Sequence, residues 1–296
     1  NKGRIENVGS ADLSEANVLA AFCAAMLPII AVQFLRSKWI GKILTALAGA
    51  FVANAFILCR SRGGLIGVTI GAALAVALSP KKHRLKIAVG LLVAFLGGLS
   101  LADPGFMRRM AKTNLSNPEE DASARNRINT WRGTVNMVMA NPLGVGSGNF
   151  LRSIAQYAPD NCARDAHSTF FRCLGEMGFP GVISFAVILV YAAKVLRWSM
   201  KEARKFPQPL QNQILYTAYG ISVSIVTFLG CGLTTTTLYT EGMWWILILP
   251  SCLERTIVNA SADVRLEPAQ EASAARPRPA FRPPRRPRRS AAGART

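Results

Sequence analysis

One of the two histidines in the chain lies where it could take part in catalysis. His83 belongs to a basic cluster, KKHRLK, whereas His167 lies in RDAHSTFFRCLGEMGFPG, at the end of the only long polar segment between apolar runs. A neutral imidazole is the natural general base near pH 7. The spacing predicts that His167 shares one face of a short helix with Phe170, Phe171 and Leu174. Its role stays open between a general base and a histidine packed at a membrane interface, which is the commoner case.

Two arginines, Arg60 and Arg62, lie in a very short turn, CRSRGGLIG, between two apolar runs. A guanidinium is always charged and can bind phosphate through two hydrogen bonds. The turn is therefore a candidate anion-binding site. The alternative is a pair of interfacial arginines that extend to lipid phosphates, with Gly63 and Gly64 making the turn.

The segment SARNRINTWRGTVNMVMANPLGVGSGNF, residues 123–150, predicts an amphipathic helix over residues 125–139. Its apolar positions recur at helical spacing and are expected to face the protein interior: Ile128, Trp131, Val135 and Val138. Arg125 lies on the polar face, whereas Arg127 lies one turn before Trp131, towards the buried side. A charge there needs a partner, which is either an acidic residue among 119–121 or a bound phosphate.

Neither the glycines nor the cysteines indicate a cofactor or a metal site. GVGSGNF, residues 144–150, follows no strand and lacks the lysine of a phosphate-binding loop, so a flexible turn is expected. The six cysteines show no metal-binding spacing. Cys162 and Cys173 flank His167, and they either form a disulfide in an oxidising compartment or remain free.

The composition is that of a membrane protein. Half of the residues are hydrophobic (50%), 17% are charged and the mean hydropathy is +0.24, which is too apolar for an ordinary soluble domain. We therefore expect an all-α integral membrane fold with about seven transmembrane helices and one long extracytoplasmic loop that contains short helices. The uncharged runs that predict the spans are residues 18–35, 43–59, 63–79, 87–102, 178–193, 214–234 and 238–253.

The net charge of +19 does not indicate nucleic-acid binding, because of where the charges lie. Eight arginines lie in the Pro-rich stretch 276–295, and most other lysines and arginines form short clusters between apolar runs. This distribution is typical of a membrane protein with basic cytoplasmic loops. We expect membrane lipid as a partner and no nucleic acid.

The basic clusters at residues 36–42, 81–86 and 194–205 and the Arg-rich tail fall on alternate connections, so all four can lie in the cytoplasm. The polar start of the chain, which has no Met, predicts the C-terminal part of a longer protein. This topology predicts five parts: an extracytoplasmic N-terminal segment (1–17), four membrane helices (18–102), an extracytoplasmic catalytic loop (103–177), three membrane helices (178–258) and a disordered Arg/Pro-rich cytoplasmic tail (259–296).

Four motifs occur in order around the long loop: SRGG at 61–64, the pair Arg127 and Trp131, NPLGVGSGNF at 141–150, and AHSTFFRCLGEMGFPG at 166–181. In this order they resemble the O-antigen ligase/polymerase superfamily, whose members are polytopic inner-membrane glycosyltransferases of bacteria. The resemblance covers roughly residues 18–193. The chain departs from it at two serines, at positions 147 and 168, where the family often has Pro and Asn, and the subfamily therefore stays open.

The resemblance implies a glycan donor linked to undecaprenyl diphosphate, an acceptor sugar on lipid A–core or another glycan, and no metal or cofactor. It implies that His167 is the family's essential extracytoplasmic histidine and that Arg62 and Arg127 bind the donor diphosphate. A lipid diphosphate is already a good leaving group, so arginines that stabilise its growing charge and a base that takes the acceptor proton are the groups required. Lesser candidates at the same membrane face are Arg60, Arg125, Glu176 and Glu241.

Three alternatives accompany this interpretation. A polysaccharide polymerase or a protein O-glycosylation ligase of the same family would use the same donor and differ in the acceptor. A transporter of an anionic solute or of a lipid-linked glycan is the non-enzymatic alternative. A transporter should show an internal repeat and charges at the membrane midplane, whereas the candidate charges here lie at the outer interface.

Overall fold

The computed structural model describes residue 5, residues 10–100, 104 and 107, residues 122–159 and residues 164–274. Every regular element in these stretches is helical, which confirms the all-α part of the predicted fold class. The helices are α1 (Ala16–Arg36), α2 (Trp39–Leu58), α3 (Arg62–Leu78), α4 (Arg84–Ser100), α5 (Ala122–Ala140), α6 (Phe150–Ser153), α7 (Thr169–Glu202), α8 (Leu210–Gly232) and α9 (Glu241–Ala274).

Within the described residues, four segments are long and apolar enough to cross a membrane: Ala16–Arg36, Trp39–Leu58, Thr169–Lys205 and Leu210–Gly232. The apolar helix Arg62–Leu78 is shorter. The predicted spans 18–35, 43–59 and 214–234 agree with α1, α2 and α8, whereas the predicted span 178–193 lies inside the longer α7. The count of seven spans, the loop topology and the domain boundaries stay predictions, and residues 103, 105, 106, 108–121 and 160–163 of the predicted loop lie outside the described residues.

The chain divides into a compact unit, Asn1–Ile257, which contains all the candidate site residues, and a second unit, Val258–Thr296. In the second unit the residues up to Ala274 are helical, past residue 259 at which the sequence predicts the disordered tail to begin. Alanine, leucine and glutamate in this stretch favour the helix. The Arg-rich stretch 276–295 lies outside the described residues.

Small residues bring α3 and α8 into backbone contact. Gly63, Gly67 and Gly71 recur every four residues and form one stripe along α3. A Cβ atom on Gly67 would lie 2.2 Å from Sγ of Cys231 and 2.6 Å from the carbonyl oxygen of Thr227. Helices in membranes depend on such close approach, because lipid tails are as apolar as the side chains that would be buried.

α8 is the most buried of the helices long enough to span a membrane, because it lies between α1 and α3. Of its most apolar stretch 61% is buried, against 0% for α2. On the α1 side, the Ser224 hydroxyl donates to the carbonyl of Ala25 (2.6 Å), and Arg36 donates to the hydroxyl of Thr217 (2.7 Å). α2 packs against α1 and leaves the rest of its surface uncovered, as a lipid-facing helix does.

Contacts at the two ends of α3 show the direction in which it packs against α8. At its start, the hydroxyl of Ser61 caps the helix by accepting a hydrogen bond from the N–H of Gly64 (3.2 Å). Towards its end, the carbonyl of Ala75 accepts a hydrogen bond from the hydroxyl of Tyr219, near the start of α8 (2.7 Å). α3 and α8 therefore run antiparallel, and the SRGG motif lies beside the turn that follows α8.

Replacing Gly67 by Ala is expected to destabilise the protein by about 1–3 kcal/mol, because the added methyl meets the backbone of α8, which cannot move aside cheaply. The matched control is Gly90→Ala in α4, where a Cβ atom has nothing within 4 Å. Thermal unfolding of the detergent-solubilised protein, followed by tryptophan fluorescence, should show a lower midpoint for Gly67→Ala only. Equal midpoints for the two variants would contradict the close packing.

Candidate active site

The four threonines that follow α8, residues 234–237, join the SRGG motif to the segment around His167. A Cβ atom on Gly63 would lie 2.1 Å from Oγ1 of Thr234, so the turn packs directly on the start of α3. On its other side, the hydroxyl of Thr169 donates to the carbonyl of Thr235 (2.9 Å) and accepts from the N–H of Thr237 (3.0 Å). The motifs at residues 61–64 and 166–181, distant in sequence, therefore meet at one end of the bundle.

His167 precedes α7 rather than forming part of it, so the predicted helical face shared with Phe170, Phe171 and Leu174 is wrong. Its backbone is left-handed, with φ 44°, and the helix begins two residues later, at Thr169. Such a conformation costs an L-residue roughly 1–2 kcal/mol and excludes it from a right-handed helix. The side chain is 42% exposed, so the imidazole is accessible to a substrate.

The backbone around His167 is held from both sides. The N–H of His167 donates to Oδ2 of Asp165 (3.0 Å). The indole N–H of Trp131 donates to the carbonyl of Ala166 (2.8 Å), and the Trp131 ring stacks on Phe171 with centroids 4.8 Å apart and planes within 5°. α5 therefore positions the histidine through Trp131.

Asp165 binds the backbone of His167 and makes no hydrogen bond to its ring. Oδ1 accepts from Arg172 at 2.5 Å, and Oδ2 accepts from the hydroxyl of Thr236 at 2.5 Å as well as from the His167 N–H. The imidazole Nδ1 lies 3.9 Å from Oδ2, beyond hydrogen-bonding distance. The carboxylate is occupied by three donors, so its role is to order this segment.

Glu176 is a buried carboxylate with three partners. Its Oε1 lies 2.9 Å from Nε of Arg172 and accepts from the N–H of Phe150 (3.1 Å), and its Oε2 accepts from the hydroxyl of Tyr239. Partial burial and this carboxylate raise the pKa of Tyr239, which keeps its hydroxyl protonated as a donor at neutral pH. These inward contacts favour a structural role for Glu176 over the catalytic role considered for it.

The glycine-rich loop at residues 144–150 docks on a kink in α7, contrary to the expected flexible turn. Gly178 is non-helical (φ 63°, ψ −160°), and Pro180 has no N–H for the carbonyl of Glu176. The loop replaces the lost partners. Gly146 donates to the Glu176 carbonyl (2.9 Å), Val145 donates to the carbonyl of Gly175 (3.0 Å), and the N–H of residue 179 donates back to the carbonyl of residue 142 (3.0 Å).

α5 forms as predicted, but it buries only part of the predicted face: Val138 is buried and Trp131 is half-buried. The buried positions are Thr130, Thr134, Met137 and Val138, whereas Ile128 and Val135 are exposed. Met137 packs with Phe150, Ile154, Ala158 and Ala166 in a small core under the loop. This face packs on the small core because the contacts of Trp131 and of the Gly-rich loop fix the rotation of α5 about its axis. The positions of apolar residues in the sequence do not reveal that rotation.

The predicted arginines lie on the elements that surround His167. Arg62 is half-buried and is the first residue of α3, next to Gly63 and hence to the threonine turn. Arg127 is half-buried in α5, one turn before Trp131, whereas Arg125 is exposed. Arg60 is half-buried with φ 46°. Among the described residues, Arg60 and His167 are the only non-glycine positions with positive φ; Arg60 directly precedes the SRGG motif and His167 lies in the motif at 166–181. Such strain concentrates at functional sites.

The other predictions near the site have separate outcomes. Glu241 is exposed at the start of α9, where its N–H donates to Oδ2 of Asp12 (3.3 Å). Cys173 is a buried free thiol, and the second cysteine of the considered pair, Cys162, lies outside the described residues. The acidic residues considered as partners of Arg127 also lie outside them.

Sequence reasoning missed the residues that organise the site, namely Asp165, Arg172, Thr236 and Tyr239. Arg172 and Glu176 are four residues apart, a spacing at which opposite charges pair on a helix. The run of four threonines between two apolar helices was a second available signal. Neither pattern predicts which residue, distant in sequence, these side chains contact in the folded protein.

Replacing Gly178 by Ala is expected to release the glycine-rich loop. Its φ and ψ are accessible almost only to glycine, and a Cβ atom would lie 2.2 Å from the carbonyl oxygen of Pro142. Hydrogen exchange of the Val145 and Gly146 amides should become about tenfold faster or more, which corresponds to a loss of about 1.4 kcal/mol. Gly148→Ala is the control, since Gly148 also has positive φ (79°) but open space around a Cβ atom. Equal exchange in the two variants would contradict the docking.

The comparisons with known proteins agree with this arrangement. Residues 47–186 match the family model described as O-antigen ligase (Wzy_C), which confirms the resemblance seen in the sequence. No curated protein matches the chain. The matched residues run from α2 into α7 and include Arg62, Arg127 and His167. With its membrane-length helices, the chain is a multi-pass membrane protein whose residues 47–186 match the O-antigen ligase family.

Proposed function

We propose that this protein transfers a glycan from undecaprenyl diphosphate to a sugar hydroxyl of lipid A–core, at the outer face of the bacterial inner membrane. The observation that carries the proposal is His167, an accessible imidazole whose strained backbone is held by Asp165 and Trp131 inside the segment that matches the family. A packed interfacial histidine needs neither this exposure nor this support.

In the proposed reaction, the acceptor hydroxyl oxygen attacks the anomeric carbon of the glycan. The bond from that carbon to the diphosphate oxygen breaks, undecaprenyl diphosphate leaves, and the acceptor proton moves to the imidazole of His167. The proposed inversion at the anomeric carbon follows from a single displacement. Negative charge grows on the leaving diphosphate, and groups placed to stabilise it lower the barrier.

The arginines proposed for the diphosphate are Arg62 and Arg127, which lie on the two elements that border the His167 segment. Arg172 is not proposed for this role, because its guanidinium is ion-paired with both Asp165 and Glu176 and its charge is already balanced. In this proposal the arginines neutralise charge that other glycosyltransferases balance with a metal ion.

The positions of the basic clusters support an extracytoplasmic site. Arg36, in the first basic cluster, bonds Thr217 near the start of α8, whereas the threonine turn beside His167 follows the end of that helix. The cluster and the site therefore lie at opposite ends of α8. The positive-inside rule assigns the basic end to the cytoplasm, and His167 then faces the periplasm, with the C-terminal tail in the cytoplasm.

Replacing His167 by Ala is expected to lower glycan transfer by roughly a hundredfold or more, the usual contribution of a general base. His83→Ala, which removes the chain's other histidine, is the control and should keep full activity. The measurement is transfer of lipid-linked glycan by the purified, reconstituted protein to a lipid A–core acceptor.

In the same assay, Arg62→Ala and Arg127→Ala should lower transfer, and Arg62→Lys should restore only part of it because lysine lacks the bidentate fork. Arg204→Ala, an exposed arginine of the basic segment that follows α7, is their control. Unchanged transfer in His167→Ala would return the histidine to an interfacial packing role.

Products extended by repeat units instead of lipid A–core conjugates would identify a polymerase, and transfer to protein would identify a protein ligase.

Replacing Asp165 by Asn is expected to lower the turnover rate by roughly tenfold, because it weakens a charged hydrogen bond and the ion pair that hold the His167 backbone. The KM for the donor should stay constant, since Asp165 does not face the donor in this proposal. Asp165→Glu should recover part of the rate. Asp12→Asn is the matched control at an exposed carboxylate. A rise in KM with unchanged turnover would contradict a positioning role.

A further inference from the structure

The exposed side of α5 carries an apolar stripe that no described part of the protein covers. Ile128, Val135 and Met139 are 36%, 44% and 68% exposed, and Leu143, just after the helix, is 78% exposed. With 3.6 residues per turn, positions 128, 135 and 139 fall on one side of the helix. We call these four residues the α5 stripe. Half of the apolar face that the sequence predicts as core thus remains outside the protein core.

The α5 stripe is bordered by basic and polar side chains. Arg125, Arg132 and Asn136 are exposed on the adjacent side of the same helix. Each precedes one residue of the stripe by three positions, which rotates it by about 60° around the helix axis. The solvent-facing side of α5 is thus itself divided into an apolar flank and a cationic flank. A helix that simply faces water has no reason for this division, whereas a helix lying in a bilayer interface does.

The α5 stripe continues into the part of α7 that is apolar enough to span a membrane. The N–H of Phe179 donates to the carbonyl of Pro142 (3.0 Å), which fixes the following residue, Leu143, beside α7. Phe179, Val182 and Ile183 are themselves exposed in this helix, where lipid is their natural neighbour. One continuous apolar surface therefore runs from α7 onto α5.

We propose that α5 lies in the bilayer interface on the side of the membrane where His167 is found. The α5 stripe inserts at the boundary between headgroups and acyl chains, and Arg125 and Arg132 contact anionic phospholipid headgroups. The occupant is lipid rather than protein because the stripe is continuous with a lipid-facing helix and the charges beside it complement anionic lipid.

Membrane contact of α5 would set the height of His167 above the bilayer. Trp131, which flanks the α5 stripe on the side away from Arg125 and Arg132, donates to the carbonyl of Ala166, next to His167. In the proposed donor, the bond that breaks lies at a fixed distance from the lipid that anchors it in the membrane. A rigid connection from the membrane surface to His167 would hold the imidazole at the height of that bond. This consequence rests on the proposed function, whereas the membrane contact itself does not.

The test is spin-label accessibility in vesicles of phosphatidylethanolamine and phosphatidylglycerol. Four native cysteines are buried and Cys252 is exposed, so Cys252→Ser and Cys162→Ser provide the background. A label at Met139→Cys should be more accessible to oxygen, which partitions into lipid, than to a water-soluble nickel chelate. A label at Asn136→Cys, on the cationic flank, should show the reverse.

A Met139 label that is reached by the nickel chelate as readily as the Asn136 label would overturn the proposal. A label shielded from both reagents would also overturn it, since another segment of the chain or a second copy would then cover the α5 stripe. Leu143→Cys serves as the second position if Met139→Cys does not fold. The readout involves no glycan transfer, so failure of the membrane contact and failure of the proposed function are distinguishable.

Discussion

The arrangement around His167 depends on a break in the backbone hydrogen bonding of α7. Gly178 leaves the helical conformation and Pro180 has no N–H, so two carbonyls of the preceding turn lose their normal partners. A buried carbonyl without a partner is costly, and here the N–H groups of Val145 and Gly146 satisfy both. The glycine-rich loop is therefore ordered because α7 is interrupted, and its order in turn fixes the end of α5.

A chain of charges runs from this loop to the histidine. Arg172 lies between Asp165 and Glu176 and packs over the ring of Phe150, with its guanidinium carbon 5.1 Å from the centroid. Removing Arg172 would leave the carboxylates of Asp165 and Glu176 without their common cation, and an uncompensated charge away from water is strongly destabilising. The network thus joins loop, helix start and His167 into one rigid unit and leaves Arg172 little freedom to bind an anion.

The membrane part of the fold serves the site through close packing of small residues. The glycine stripe of α3 lets α8 approach until Gly230 lies against Gly67, where a Cβ atom would be 3.0 Å from the Gly67 Cα. Because α8 packs so closely on α3, the threonine turn that follows α8 lies beside the SRGG motif at the start of α3. In lipid, where apolar burial gives no net gain, such steric fit takes the place of a hydrophobic core.

The sequence by itself determined the features that depend on short stretches of chain. Membrane-length helices follow from uncharged runs such as residues 18–35. The resemblance to the O-antigen ligase family follows from motifs that occur in order, with His167 and Arg62 among them. The existence of α5 also follows, since its periodicity is local. These properties need no knowledge of what lies across the fold.

Tertiary structure alone decided the rest, because each feature needs partners distant in sequence. The left-handed backbone of His167 depends on Trp131 and Asp165, and Asp165 in turn needs Thr236. The rotation of α5 depends on the loop that docks at Gly178, which is why the face predicted to be buried is partly exposed. Periodicity identifies an apolar face, but whether protein or lipid covers it is decided by the contacts that orient the helix.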